Sequence, residues 1–153
     1  MKENILLNVL LADDDQDDCY FFQQALNTLE LSCHLKTVRD GEQLMEYLYQ
    51  YADSLPDVLF LDLNMPRKNG SQCLLEIKKN DKLKALPVVI YSTSLNETIA
   101  DVLYSQGAHY YIQKCEFAQL KILLRKVLTK MIHAEFARLA RDEFVINLIE
   151  IQS

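Results

Sequence analysis

The most constraining feature of the sequence is an uninterrupted apolar run, Val58–Leu61, that leads directly into Asp62. A strand that is apolar at every position is covered on both faces, which is typical of a parallel sheet between two layers of helices. Residues 64–70, N-M-P-R-K-N-G, then break the strand. An acidic residue at the end of such a strand lies at the rim where open α/β sheets bind ligands.

Apolar segments that predict strands alternate along the chain with amphipathic segments that predict helices. The predicted strands cover residues 5–12, 34–38, 58–61, 87–91 and 110–112, and the predicted helices begin near residues 16, 41, 71, 96 and 116. This alternation favours parallel strands joined by right-handed crossovers. We therefore expect an α/β fold, a flavodoxin-like (βα)5 three-layer sandwich with the strand order 2-1-3-4-5.

Composition narrows the class of protein. The chain has 153 residues, enough for one domain, and half of them are hydrophobic. Its net charge of −6 argues against a nucleic-acid interface, which would need a clustered basic face. No apolar run approaches the roughly 18 residues that span a bilayer, and the first residues lack the pattern of a signal peptide. We expect a cytoplasmic protein whose four cysteines are reduced thiols.

Polar side chains follow four of the five predicted strands. They are Asp13 and Asp14 after strand one, Asp62 after strand three, Ser92 and Thr93 after strand four, and Lys114 after strand five. The order 2-1-3-4-5 brings these positions to one rim of the sheet. Clustered carboxylates are costly unless a cation lies among them. This set of hard oxygen ligands predicts a Mg²⁺ site, with Mn²⁺ as a substitute.

These residues also suggest a reaction. Asp62 can act as a nucleophile toward a phosphoryl group. Mg²⁺ and Lys114 would offset the charge on the transferred oxygens. Ser92 can hydrogen-bond the resulting acyl phosphate, and such a charge-assisted bond is worth roughly 1.5–3 kcal/mol.

The same residues resemble the receiver domain of two-component response regulators. The matching motifs are D-D after strand one, L-D-L-N-M-P after strand three, a Ser/Thr after strand four and a Lys after strand five. The resemblance covers about residues 5–131, a CheY-like receiver similar to small stand-alone regulators of chemotaxis or of bacterial phytochromes. The stretches L-L-A-D-D-D-Q-D-D and V-V-I-Y-S-T-S favour the phytochrome-associated type.

The resemblance implies a role for the acidic residues. Asp62 would accept a phosphoryl group from a sensor histidine kinase or a phosphotransfer protein. Asp13, Asp14, Asp62 and the backbone carbonyl of Asn64 would bind Mg²⁺. Asn64 and Ser94 would lie where side chains tune the lifetime of the acyl phosphate. The protein would thus be a phosphoacceptor with intrinsic autophosphorylation and autodephosphorylation, and not a dedicated enzyme.

The resemblance also implies a switch. Ser92, Thr93 and Lys114 would bind the phosphoryl group, and Ser92 would move toward it while Tyr111 changes rotamer. Helix four, strand five and helix five would then present an altered surface to a downstream protein target. The same face, or the C-terminal tail, would serve a homodimer.

The pair Lys114-Cys115 departs from the family, which usually has a proline after this lysine. A cis bond before a residue other than proline costs about 2.5–4 kcal/mol. We therefore expect a trans bond or a rearranged loop. Oxidation sensing by Cys115 has only the neighbouring lysine in its favour.

The C-terminal residues exceed what a receiver needs. We expect a receiver domain over residues 1–132 and an extension over residues 133–153, without a separate output domain. The run F-V-I-N-L-I-E-I from Phe144 onward is apolar enough to form an exposed patch if unpaired. The hypothesis is a helical tail that packs on a second copy of the chain or on the domain itself.

Two other classes of protein compete with this interpretation. A haloacid-dehalogenase-type phosphatase also places an aspartate nucleophile after an apolar strand, but it needs a second acid two residues later, where this chain has Asn64. A receiver-like module that binds partners without phosphorylation is the other alternative. Such a module has no use for the complete set of site residues.

Overall fold

The computed structural model describes residues 6–94, 96–132 and 140–146. Within these ranges the strands are β1 Leu6–Ala12, β2 Ser32–Val38, β3 Val58–Leu61, β4 Val88–Ser92, β5 Tyr110–Gln113 and β6 Val145–Ile146. The helices are α1 Gln16–Thr28, α2 Gly41–Gln50, α3 Gly70–Lys79, α4 Glu97–Ser105 and α5 Phe117–Ile132, and a 3-10 turn spans Arg141–Glu143. None of these helices is both long enough and apolar enough to cross a membrane.

The strands form one parallel sheet in the order β2-β1-β3-β4-β5-β6. The predicted flavodoxin-like order 2-1-3-4-5 is confirmed, and a sixth strand is added beside β5. Ala12 pairs with Leu61 in register, so β1 and β3 end side by side. The residues that follow these two strands therefore emerge together at the carboxyl rim of the sheet.

The sheet separates two apolar clusters, one on each face. Leu59 and Leu61 point into the cluster beneath α2, α3 and α4. Val58 and Phe60 point into the cluster beneath α1 and α5. All four side chains are fully buried, which explains why β3 lacks the alternation of a half-exposed strand.

Side-chain caps fix where the helices begin. Asp15 accepts a hydrogen bond from the Asp18 amide at 3.0 Å and thereby caps α1. Asn69 and Gln72 form a reciprocal capping box at the start of α3. Each of these caps satisfies backbone N–H groups that the helix itself leaves unpaired.

The C-terminal extension differs from the expected helical tail over residues 140–146, which form a 3-10 turn and a short strand. Phe144 joins the cluster beneath α4, and Ile146 joins the opposite cluster beneath α5. Val145 packs against the same cluster as Phe144, so the neighbours Val145 and Ile146 point to opposite faces, as successive residues of a strand do. The edge of β5 supplies the backbone partners of this short strand. The rest of the predicted tail, residues 133–139 and 147–153, lies outside the described residues.

Candidate functional site

Three carboxylates meet at the rim where β1 and β3 end. One carboxylate oxygen each from Asp13, Asp14 and Asp62 lie within 4.8 Å of one another. Asp13 is fully buried, Asp62 is 4% exposed and Asp14 faces solvent. Backbone hydrogen bonds fix the positions of Asp13 and Asp62. The Asp13 N–H donates to Val38 O and the Asp62 N–H donates to Ala12 O, both at 3.0 Å. The convergence predicted for these aspartates is what the structure shows.

Lys114 brings a cation to the carboxylates from the end of β5. Its backbone N–H donates to Ser92 O at 2.7 Å, which extends the β4–β5 pairing beyond the strand end. Its Nζ lies 2.8 Å from Asp13 Oδ2 and 3.3 Å from Asp62 Oδ2. A nearly buried ammonium group therefore faces both the proposed metal ligand and the proposed phosphoacceptor.

Asp18 is a contact of Lys114 that sequence reasoning missed. Lys114 Nζ donates at 2.7 Å to Oδ2 of Asp18, a residue for which the sequence motifs predict no role. Asp14 precedes the cap residue Asp15, so the helical spacing of α1 does not link Asp18 to it. No signal within the acidic run identifies Asp18, because its contact depends on where β5 places Lys114.

Burial and charge act in opposite directions on the ionisable groups of the site. Burial raises the pKa of Asp13 to about 6, although the ammonium of Lys114 lowers it. Burial likewise raises the pKa of Asp62 against the same ammonium. Burial alone would lower the pKa of Lys114, but its contacts with Asp13 and Asp18 raise it more. The carboxylates thus have too little positive charge around them, a condition that a bound divalent cation relieves.

Ser92 ends β4 with an unused hydrogen-bonding group. It is fully buried, and its hydroxyl has no hydrogen-bond partner among the described residues. Buried polar atoms are rarely left in this state, so the hydroxyl suits a ligand that enters from the rim. The neighbouring Thr93 is exposed, and its carbonyl accepts a hydrogen bond from Gln113 at 3.1 Å.

Tyr111 is fully buried on β5, and its hydroxyl donates to the Ser94 carbonyl in the segment between β4 and α4. Ser94 follows Ser92 by two residues. One hydrogen bond therefore joins Tyr111 to the segment that follows β4.

The loop after Asp62 packs closely on its own backbone. Asn64 is exposed, and its N–H lies 3.4 Å from Asp62 Oδ1. Gly70 N–H donates to Leu63 O at 3.0 Å. A Cβ atom at position 70 would lie 2.2 Å from the Asp62 carbonyl oxygen, so only glycine allows α3 to begin here.

The Lys114-Cys115 bond is trans, as expected, because none of the peptide bonds in the described part of the chain is cis. Cys115 is exposed, but partial burial of its sulfur raises its thiol pKa. A raised pKa disfavours the reactive thiolate, so the structure does not favour an oxidation sensor.

The chain also matches known proteins. Residues 9–126 match the response regulator receiver domain family. The chain is 37% identical to response regulator Rcp1 of Synechocystis sp. over 123 residues, which cover 78% of this chain and 82% of that protein.

Solved structures give the same assignment. The phosphorylated cyanobacterial phytochrome response regulator RcpA is 33% identical with a TM-score of 0.76, over 85% of this chain and 96% of that chain. The Mn²⁺-bound form of Rcp1 is 32% identical with a TM-score of 0.73, over 88% of this chain and 99% of that chain.

The chain therefore belongs to the response regulator receiver domain family. Receivers of this family signal through phospho-aspartate and act as phosphoacceptors rather than dedicated enzymes. They bind a divalent metal in an acidic pocket, and they interact with histidine kinases or phosphotransfer proteins and with downstream targets. The family assignment also favours the receiver over the haloacid-dehalogenase alternative.

Proposed function

We propose that Asp62 is the phosphoacceptor of this receiver and that it takes its phosphoryl group from a sensor histidine kinase or a phosphotransfer protein. The observation that carries the proposal is the position of Asp62, which lies within 4.8 Å of two further carboxylates and 3.3 Å from the Lys114 ammonium. A lone surface aspartate would have neither a metal-binding group nor a buried cation beside it.

We propose Mg²⁺ as the metal, with Mn²⁺ as a substitute. Asp13, Asp14 and Asp62 would hold it together with the backbone carbonyl of Asn64. Hard carboxylate oxygens suit Mg²⁺, which commonly shares its coordination shell with substrate phosphate. Bound there, the ion would supply positive charge to the oxygens of the transferred group. The Mn²⁺-bound structure of Rcp1 supports a divalent ion in a related protein.

The transfer step follows from the positions of the side chains. A carboxylate oxygen of Asp62 attacks the phosphorus, the bond to the donor imidazole nitrogen breaks, and that nitrogen keeps the electron pair. Lys114 and the Ser92 hydroxyl would bind the phosphoryl oxygens, with Thr93 beside them. A preorganised ammonium and hydroxyl lower the barrier because they need no rearrangement during the transfer.

Two further steps complete the proposal. Engagement of Ser92 would shift the segment that holds the Tyr111 hydroxyl and would alter the face formed by α4, β5 and α5. Hydrolysis by water would then release phosphate and restore the Asp62 carboxylate. Asn64 and Ser94 lie in the segments that follow β3 and β4, where their side chains would tune the rate of this loss.

The remaining predictions concern organisation. We propose a receiver domain over residues 1–132 followed by an extension over residues 133–153. A homodimer would use the exposed apolar residues Ile99 and Val102 of α4, because β6 already covers the edge of β5. A cytoplasmic location is supported by the free cysteines, which suit a reducing compartment.

The decisive experiment is the intact mass of the protein after incubation with acetyl phosphate and Mg²⁺, with and without EDTA. We expect one phosphoryl adduct on the wild type, and its loss in Asp62→Asn and in EDTA. Asp53→Asn, at a well-exposed carboxylate between α2 and the start of β3, the end of that strand opposite the rim, is the matched control and should keep the adduct. No adduct and no beryllofluoride binding would favour the phosphorylation-independent module instead.

A further inference from the structure

A segment from the C-terminal extension, residues 140–146, lies along the edge of β5, and we name it the docking segment. Val145 pairs with Tyr111 and Ile146 pairs with Ile112 in a parallel ladder. The Tyr111 N–H also donates to Phe144 O at 3.1 Å. The edge of β5 therefore accepts an added strand through its backbone, which is a common mode of peptide recognition.

An aromatic anchor holds the docking segment. Phe144 is fully buried between two tyrosines. Its ring centre lies 5.3 Å from that of Tyr104 on α4 and 6.2 Å from that of Tyr111 on β5, both in edge-to-face geometry. Rings in such pairs attract one another beyond their burial. The pocket between α4 and β5 thus fits an aromatic side chain.

A charged subsite on α4 completes the fit. Arg141 Nε lies 2.6 Å from Asp101 Oδ1, and its Nη2 lies 2.7 Å from Glu97 Oε2. The two acids are four residues apart, so they face the same side of α4. The site therefore binds three features of the docking segment. The acids of α4 bind a basic residue, the pocket between α4 and β5 binds an aromatic residue three positions later, and the edge of β5 pairs with a short aliphatic strand.

The docking segment is connected to the phosphoacceptor rim by a short series of contacts. Phe144 touches Tyr111 by its ring and by its backbone, and the Tyr111 hydroxyl donates to the Ser94 carbonyl. Ser94 lies two residues after Ser92, whose buried hydroxyl has no hydrogen-bond partner among the described residues. A phosphoryl group at Asp62 would give that hydroxyl its partner while the Ser94–Tyr111 bond stays in place.

We infer that the α4–β5 edge is a strand-docking site occupied by residues 140–146 of the same chain, and that docking and phosphorylation of Asp62 favour each other. The inference rests on the proposed function of Asp62. The docked arrangement leaves Ser92 ready for a phosphoryl oxygen, so phosphorylation stabilises the arrangement to which Phe144 is fitted. Linkage between binding equilibria is reciprocal, so docking must tighten the binding of a phosphoryl mimic at Asp62 by the same factor by which the mimic favours docking.

The test measures hydrogen exchange by mass spectrometry in the full chain, with Mg²⁺ and with or without beryllofluoride. Exchange of the β5 peptide that carries the Tyr111 amide should slow at least about 5-fold, the lower end of typical couplings. Phe144→Ala should abolish this slowing and weaken beryllofluoride binding by a similar factor. Intact mass after acetyl phosphate treatment is recorded for every variant, so adduct formation is known independently.

A milder variant guards against a folding defect in Phe144→Ala. Arg141→Gln keeps the buried ring and removes the ion pairs with α4. It should weaken both docking and beryllofluoride binding on the order of 2- to 5-fold, since exposed ion pairs are weak. Arg125→Gln removes an exposed arginine of α5 and should change neither.

The outcomes are distinguishable. An adduct on Asp62 with unchanged β5 exchange, and with wild-type beryllofluoride affinity in both variants, would overturn the inference and leave the proposed function intact. Absence of any adduct would remove both. Protection of β5 that is lost on dilution would assign the docking segment to a second copy of the chain and overturn docking within one chain.

Discussion

Lys114 donates a 2.7 Å hydrogen bond from its ammonium group to Asp18, across 96 residues of sequence. The same nitrogen lies farther from Asp62, at 3.3 Å. Asp18 belongs to α1 and is outside the group of carboxylates that could share a metal ion. Under the proposed function, Asp18 would compete with an incoming phosphoryl group for the ammonium of Lys114.

Removal of this competitor should strengthen binding of a phosphoryl mimic. In Asp18→Asn we expect beryllofluoride to bind about 5-fold more tightly, close to 1 kcal/mol, since Lys114 is freed and one negative charge is lost. Isothermal titration calorimetry with Mg²⁺ in excess measures this affinity. Asp17→Asn removes the same charge from the exposed neighbour and should change the affinity less than 2-fold. Equal effects of the two variants would show that the contact itself has no role.

The buried Asp13 should make the metal-free protein less stable as pH rises. Its pKa is about 6 in the folded chain against a usual 3.8, so the folded state binds more protons between these values. Its contribution to stability therefore falls as pH rises through this window. In EDTA, the free energy of unfolding of Asp13→Asn relative to wild type should increase from pH 4 to pH 7 by on the order of 2 kcal/mol.

Urea unfolding at several pH values measures this difference. Asp53→Asn, at an exposed carboxylate, serves as the reference and should track the wild type at every pH. Excess Mg²⁺ at pH 7 should shift this difference toward the wild type, because the proposed ion would bind the folded chain through Asp13. A difference between Asp13→Asn and wild type that does not vary with pH would contradict the raised pKa.

The start of α3, immediately behind Asp62, depends on its capping box. Asn69 Oδ1 accepts from Gln72 N–H at 2.9 Å, and Gln72 Oε1 accepts from Asn69 N–H at 3.0 Å. Asn69→Ala should lower the free energy of unfolding by about 1 kcal/mol. Gln72→Ala keeps the Asn69 side chain and should cost less. An Asn69→Ala protein as stable as the wild type would mean that the cap contributes nothing.

The cysteines should differ in reactivity according to their burial. Burial raises the thiol pKa of Cys73 to about 11, and its sulfur donates to the Gly41 carbonyl. Cys115 is exposed, and partial burial raises the pKa of its thiol as well. Iodoacetamide at pH 7.5 should modify Cys115 more slowly than free cysteine, and should modify Cys73 only after unfolding. Peptide mapping measures both rates, and modification of Cys115 faster than free cysteine would revive the oxidation sensor.

The sequence predicts the central sheet because each signal there is local. Val58–Leu61 is apolar at every position, and one rule about parallel sheets then places Asp62 at the rim. Lys114 and Ser92 were assigned in the same way, from their places just after or at the end of apolar segments. Their convergence needs no information beyond the strand order.

The parts that sequence reasoning missed depend on contacts between distant segments. A two-residue strand such as Val145–Ile146 shows no readable period, so the edge of β5 decides its conformation. The acidic run from Asp14 to Asp18 resembles any charged helix start. Only the position of Lys114, set by β5, singles out Asp18 within that run.

The close approach of position 70 to the proposed phosphoacceptor Asp62 limits which substitutions this sequence can accept. A Cβ atom at position 70 would collide with the carbonyl oxygen of Asp62 at 2.2 Å and with the Leu63 Cα at 2.9 Å. Every single-nucleotide change away from a glycine codon either adds a Cβ atom or ends the chain. Only changes between glycine codons leave this position intact. Each amino-acid substitution that one nucleotide change can produce would displace the backbone that carries the Asp62 carboxylate.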